Sequence, residues 1–245
     1  MKSVLFRTFL ATATTLAFST IASASYAVSL VPDTEGELDV GLGCPNDPEL
    51  CISVDSIPFL DSVVSEVDET TGFPSRLFLD DLATENVYED PALFFTSDLG
   101  TNPEGIWYRP VAFLGDEPIE EGQLEVGTYT FNFTETLDEL VIDYFDTETE
   151  NTTGVIAING TSIDSPDWVP AGSNGNLFTQ TFADIDSITL KLGEYDPEGI
   201  NFFAPGDGVR FQLSATAAAV PEPTTVFGLA VVGLALAGSK LRQRH

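Results

Sequence analysis

The 245-residue chain carries a single histidine, His245, as its last residue. Acyl transfer by a Ser-His-Asp or Cys-His set needs an imidazole beside the nucleophile, and water-activating zinc sites lean on imidazole ligands. The rest of the sequence supplies none, so both chemistries are set aside. Carboxylates are plentiful instead, 39 Asp and Glu residues in all. Glycoside hydrolysis asks for only two of them, held roughly 5 to 10 Å apart. With so many, some pair meets any separation by chance, and abundance carries no specificity. Asp143 with Asp146, and Glu194 with Asp196 and Glu198, therefore read as solvated faces. No residue is assigned a catalytic role, and the chain is read as non-enzymatic.

The same oxygens suit calcium, and acidic clusters stand at Asp33-Thr34-Glu35-Gly36, at 146–151 and at 194–199 followed by Asp207. None has the EF-hand spacing. The expectation is no cofactor and no metal ligand set, with a structural calcium in one of these loops as the alternative. Two aromatic stretches, Ile106-Trp107-Tyr108-Arg109 and Asp167-Trp168-Val169, offer rings that could stack on sugars. Large aromatics more often fill cores, so Trp107 is read into the core of its strand and Trp168 into a turn before Pro170. Lys191 alternates with Thr189 and Gly193 and reads as facing solvent.

These residues must be positioned by strands. Thr128-Tyr129-Thr130-Phe131-Asn132-Phe133-Thr134 alternates at period two, the mark of a half-buried strand. Similar stretches lie at 105–114, 139–145, 154–159, 177–182, 187–192 and 208–215. Turn residues separate them, including Asp116-Glu117-Pro118, Ser173-Asn174-Gly175 and Pro205-Gly206-Asp207-Gly208. Asn159-Gly160 between two apolar runs signals a type I′ hairpin. The pattern predicts an all-β body over residues 28–216 with a β-sandwich or jelly-roll arrangement. One short helix is expected at 57–67, with Phe59, Val63, Val64 and Val67 on one face.

The two ends read differently from the body. Lys2 and Arg7 precede an uncharged apolar stretch at 9–21 and then small residues, the pattern of a secretory signal peptide occupying 1–27, with cleavage after Ala24 or Ala27. At the other end, after an Ala-rich linker from 217, Pro221-Glu222-Pro223 precedes an apolar run at 226–238 and the basic residues Lys240, Arg242 and Arg244. With Thr224, Thr225 and Ser239 the run extends to a helix of about 224–239, near the length that spans a bilayer. The basic end belongs on the cytoplasmic side by the positive-inside tendency. The two ends hold five of the nine basic residues and one acidic residue, Glu222. Between them remain 38 acidic residues and four basic ones, Arg76, Arg109, Lys191 and Arg210, a formal charge of −34. Nucleic acid is bound chiefly through Lys and Arg on phosphate, so it is excluded as a partner.

The tail resembles the PEP-CTERM sorting signal of bacterial envelope proteins, in which a Pro-Glu-Pro triplet precedes a short membrane helix and a basic end. Leu124-Glu125-Val126-Gly127, with the Tyr129/Phe131/Phe133 strand and the segment 186–193, resembles a cyanobacterial group of such proteins named for its LEVG tetrapeptide. The resemblance implies processing by an exosortase, a membrane cysteine transpeptidase acting at Pro221, Glu222 and Pro223. It also implies transient anchoring of the helix in the inner membrane, delivery to the cell envelope or extracellular matrix, and an association with extracellular polysaccharide and biofilm. In an exported chain the only cysteines, Cys44 and Cys51, are expected to form a disulfide. Two alternatives stay open, a carbohydrate-binding or carbohydrate-cleaving sandwich and a single-pass surface protein that is never cut.

Overall fold

The computed structural model describes residues 27–44, 51–67, 72–88, 93–95, 104–114, 117–118, 126–194 and 208–216. The segment expected to be a signal peptide, apart from Ala27, and the segment expected to be a sorting signal lie outside the described residues, so Pro221, Glu222, Pro223, Lys240, Arg242 and Arg244 are not placed. Residues 25–218 form one compact unit.

Among the described residues there is no α-helix, only strands and one 3-10 turn at Val54–Ser56. The strands are β1 (Val28–Ser29), β2 (Gly36–Leu38), β3 (Cys51–Ile52), β4 (Leu60–Glu66), β5 (Ser75–Asp81), β6 (Asn86–Tyr88) and β7 (Leu93–Phe95). They continue as β8 (Ile106–Leu114), β9 (Glu117–Pro118), β10 (Gly127–Phe145), β11 (Gly154–Ile158), β12 (Thr161–Trp168), β13 (Leu177–Leu192) and β14 (Arg210–Thr216). Twelve of them share one sheet ordered β12-β11-β13-β10-β14-β8-β5-β2-β3, with β1 on β14, β4 on β10 and β9 on β8. β6 and β7 pair separately. The body is therefore all-β, as the alternation implies, and its hydrogen bonding runs through one continuous sheet.

β10 organises this sheet. It pairs with β13 along its length, while its other edge is divided: residues 128–133 bond to β4 and 139–145 to β14. The sequence reads as two strands at 128–134 and 139–145, yet the backbone continues through the polar residues between them. A register shift between Asn132 and Leu137 absorbs the extra residues. Thr134 donates its amide to the Phe59 carbonyl at 2.8 Å, and the Thr136 hydroxyl bonds to Asp186. The stretches at 177–182 and 187–192 merge into β13 in the same way. There Asp184 adopts φ 56°, a left-handed conformation that Asp tolerates. Asn159 braces this irregularity, accepting from the Asp186 amide at 2.7 Å and donating to the Asp184 carbonyl at 2.9 Å. Asn159 and Gly160 have φ 50° and 69°, so the expected type I′ hairpin forms.

The helix expected at 57–67 is instead the strand β4. Phe59 sits at φ 62°, which no right-handed helix accommodates, and Val63 and Val64 are β-branched residues that pack well on a pleated surface. Pairing with β10 overrides the apolar spacing.

The core gathers where the two halves of β10 approach one another. Phe131 from the first half meets Phe211 of β14 edge-on at 5.9 Å, and Tyr108 of β8 stacks on Phe211 at 5.0 Å. Tyr108 donates its hydroxyl to the Leu30 carbonyl at 2.6 Å, and Tyr129 donates to the Arg76 carbonyl at 2.7 Å. The ring of Tyr129 fills the space over Gly127, where a Cβ would come within 2.6 Å of it. The glycine of the tetrapeptide thus leaves the room that this ring occupies.

Burial holds the phenols of Tyr108 and Tyr144 protonated far above their ordinary range, with the Asp167 carboxylate adding to the effect at Tyr144. Their folded-state pKa exceeds the unfolded value of about 10, so the stability they confer is complete below that pH and is lost as pH rises through it. Chemical unfolding followed between pH 8 and 12 should show stability falling above about pH 10, with a slope approaching 2.7 kcal/mol per pH unit for two groups. A flat profile would mean that both phenols ionise freely in the folded protein.

Candidate functional site

The aromatic stretch at 106–109 is enclosed on both faces. Tyr108 points into the main core, while Trp107, 3% exposed, packs on Phe145 at 5.9 Å in a second cluster with Leu82. Trp107 therefore belongs to a core, as read, and offers no ring to a sugar. Trp168 departs from the turn expected for it: it is the last residue of β12 and half-buried. Its β11 partner is Gly154, whose own partner on β13 is Lys191. A Cβ on Gly154 would lie 2.4 Å from the Asp167 carbonyl, so only glycine lets β12 approach this closely. The Trp168 ring reaches across it to the Lys191 ammonium, 6.0 Å from the ring centroid. Lys191 is accordingly half-buried against an indole, and its neighbours Thr189 and Gly193 are buried, which corrects the solvent-facing expectation.

The sequence reading missed what happens to the other body cations. Arg76, Phe78 and Asp80 alternate along β5, with Val111, Arg109 and Trp107 opposite them on β8 and Glu37 of β2 opposite Phe78. Arg210 precedes Phe211, the partner of Tyr108, and so turns to this same face, away from the main core. Three of the four body cations thus share one face, and it is largely buried: Asp80 is 1% exposed and Arg109 is 7%. Arg109 pairs with Asp80 at 3.0 Å, Arg76 pairs with Glu37, and the Arg210 guanidinium lies 5.9 Å over the Phe145 ring. The signal was available in Ser75-Arg76-Leu77-Phe78-Leu79-Asp80, where Arg76, Phe78 and Asp80 alternate with Leu residues, but charges at the ends of such a strand are equally compatible with a solvated face.

Among the described residues, the carboxylates singled out for chemistry are engaged by separate partners. Asp143 accepts from the Thr179 hydroxyl on the sheet face, whereas Asp146 folds back to accept from the Gly175 amide at 2.6 Å. Glu194 is exposed, and Asp196 and Glu198 lie outside the described residues. Glu35 of the first calcium-like cluster staples a turn, accepting from the Asp81 amide at 2.8 Å and the Thr84 hydroxyl at 2.6 Å. Among the described residues no three Asp, Glu, His or Cys side chains are grouped to hold a metal ion.

Cys44 and Cys51 are brought together with Cα atoms 5.7 Å apart, the spacing a disulfide requires. Beside them opens a recess of about 420 Å³ lined by Asp39, Cys44, Cys51, Ser53 and Val54. Asp39 is occupied with its own loop, accepting from the amides of Gly41 and Gly43 at 3.0 and 3.1 Å. No described helix is long and apolar enough to cross a membrane. Comparison with protein-family models, curated proteins and solved structures gives no match.

Proposed function

We propose that this chain is a non-enzymatic, exported protein whose body, a sandwich-like all-β domain, is delivered to the cell surface or extracellular matrix by the signals at its ends. The carrying observation is the order of the tail: Pro221-Glu222-Pro223, then the apolar run, then Lys240, Arg242 and Arg244. That order suits a chain held in the inner membrane by its C-terminus, with the exosortase as its processing partner, and cut once the body is outside. The cysteine pair fits an oxidising destination, where it forms a disulfide.

Changing Pro221, Glu222 and Pro223 together to alanine should abolish processing. Intact-mass measurement should then find the basic end retained in the membrane fraction, whereas the unaltered chain lacks it. Equal release of both chains would reject the sorting reading, and a basic end present in both would favour the uncut single-pass alternative. The carbohydrate alternative draws on Trp168 with Lys191. Glycan-array binding and reducing-end release should both be blank for the proposed protein.

A further inference from the structure

The sequence contains two Asn-Gly dipeptides, Asn159-Gly160 and Asn174-Gly175, and both form turns. Such a pair is open to attack by its own backbone. The glycine nitrogen can reach the side-chain carbon of the asparagine, and glycine has no Cβ to obstruct the five-membered ring that forms. The two sites share this chemistry and differ in what surrounds them.

Asn159 is held on several sides. Its Oδ1 accepts from the amides of Asp186 at 2.7 Å and Ser187 at 3.2 Å, and its Nδ2 donates to the Asp184 carbonyl at 2.9 Å. Its own amide donates to the Ser187 carbonyl at 2.8 Å. The turn that it shares with Gly160 has only two residues, with Ile158 and Thr161 paired directly across it. Turning the Asn159 side chain toward the Gly160 nitrogen therefore gives up three hydrogen bonds and disturbs a ladder that has no slack.

Asn174 is exposed at the tip of the longer loop between β12 and β13. There Asn176 donates its amide to the Ser173 carbonyl at 3.0 Å and Gly175 sits at φ 74°, as a type II turn requires. The loop is fastened through its backbone and through Asn176. Gly172 donates to the Thr147 carbonyl at 2.9 Å, Gly175 to the Asp146 carboxylate at 2.6 Å, and Asn176 Nδ2 to the Thr147 carbonyl at 2.6 Å. Among the described residues none bonds to the Asn174 side chain. Ring closure here gives up the one bond from Gly175 to Asp146, against three at Asn159.

We propose that Asn174-Gly175 is a self-modification site of the folded body, and that the fold shields Asn159-Gly160 from the same reaction. Hydroxide removes the Gly175 amide proton, the nitrogen attacks Cγ of Asn174, and the tetrahedral centre expels Nδ2 as ammonia to leave a succinimide. Water then opens the ring, at Cγ to give aspartate or at the main-chain carbonyl to give isoaspartate. Either product adds a carboxylate to the turn that Asp146 holds, in a body already at formal charge −34. Isoaspartate also lengthens the main chain there by one atom. A folded chain accumulates the change at Asn174 alone, whereas a chain held unfolded acquires it at both sites, so the ratio of the two records folding history.

The test incubates the chain in mildly alkaline buffer, with and without enough urea to unfold it, and samples both over time. Peptide mass spectrometry with fragmentation locates the mass gain that replaces an amide by an acid. Without urea, Asn174 should convert about tenfold faster than Asn159 or more, the size expected from two fewer hydrogen bonds to break. In urea the two should convert at similar rates. Similar rates without urea would overturn the proposal, as would an Asn174 that stays intact over the period in which urea converts it. A preference for Asn174 that persists in urea would also overturn it, because it would then come from neighbours in sequence and not from the fold.

Discussion

Replacing Asp80 with alanine should destabilise the body by about 3 to 5 kcal/mol, the cost of leaving a buried guanidinium without its carboxylate. Asp80 and Arg109 are bonded at 3.0 Å with side chains 1% and 8% exposed. Water is too scarce there to solvate the charge left behind. The pair itself is a different matter, because bringing two charges out of water costs about as much as their attraction returns. Changing both to apolar residues, as in Asp80→Leu/Arg109→Met, should therefore recover most of the loss. Urea unfolding of the two single variants and the double variant measures this directly. A loss below about 1 kcal/mol for Asp80→Ala would be the behaviour of an exposed pair and would contradict the burial. Asp80→Asn should fall between, since it keeps a hydrogen-bond acceptor and removes the charge.

Phe211→Ala should cost a comparable 3 to 5 kcal/mol through lost transfer energy and the cavity left behind. The loss is set toward the upper end by position. Phe211 is stacked on Tyr108 at 5.0 Å and meets Phe131 edge-on at 5.9 Å, and such ring pairs contribute roughly 0.5 to 1.5 kcal/mol each beyond their area. In a body of this size each kcal/mol lowers the melting temperature by roughly 2 to 4 °C, so a fall of about 10 °C or more is expected. Leu177→Ala, at a residue 60% exposed, is the comparison and should move the melting temperature little. Equal shifts in the two variants would show that the three-ring contact does not join the halves of β10.

The strand content was legible because alternation at period two is a direct imprint of a pleated surface on sequence. Tyr129, Phe131 and Phe133 announce which face of β10 is buried, and Asn159-Gly160 announces its turn through the backbone conformation that both residues tolerate. Continuity was not legible. The polar residues between Thr134 and Glu139 interrupt the alternation, and hydrogen bonds to distant residues such as Phe59 and Asp186 hold the chain in a strand there. The 57–67 segment failed for the same reason, since a short apolar run fits either period until its partner is known. At the candidate site, the fate of the arginines was hidden because burial of charge depends on partners such as Asp80, 29 residues from Arg109. The cysteine pair was legible from its close spacing read together with the pattern of an exported chain.

The last strand of the body in chain order is among the most central in space. β14 bonds to β10, β8 and β1, and its Phe211 is the ring on which the other two aromatics converge. A chain emerging amino end first cannot complete its sheet until residues 210–216 arrive, whatever has already formed around β10 and β13. Completion of the sheet therefore waits on residues 210–216, with loop closure between residues as distant as Val28 and Ala215 among its final steps. Such timing leaves the sheet open until its final strand is present, and makes the arrival of residues 210–216 the event that commits the chain to its shape.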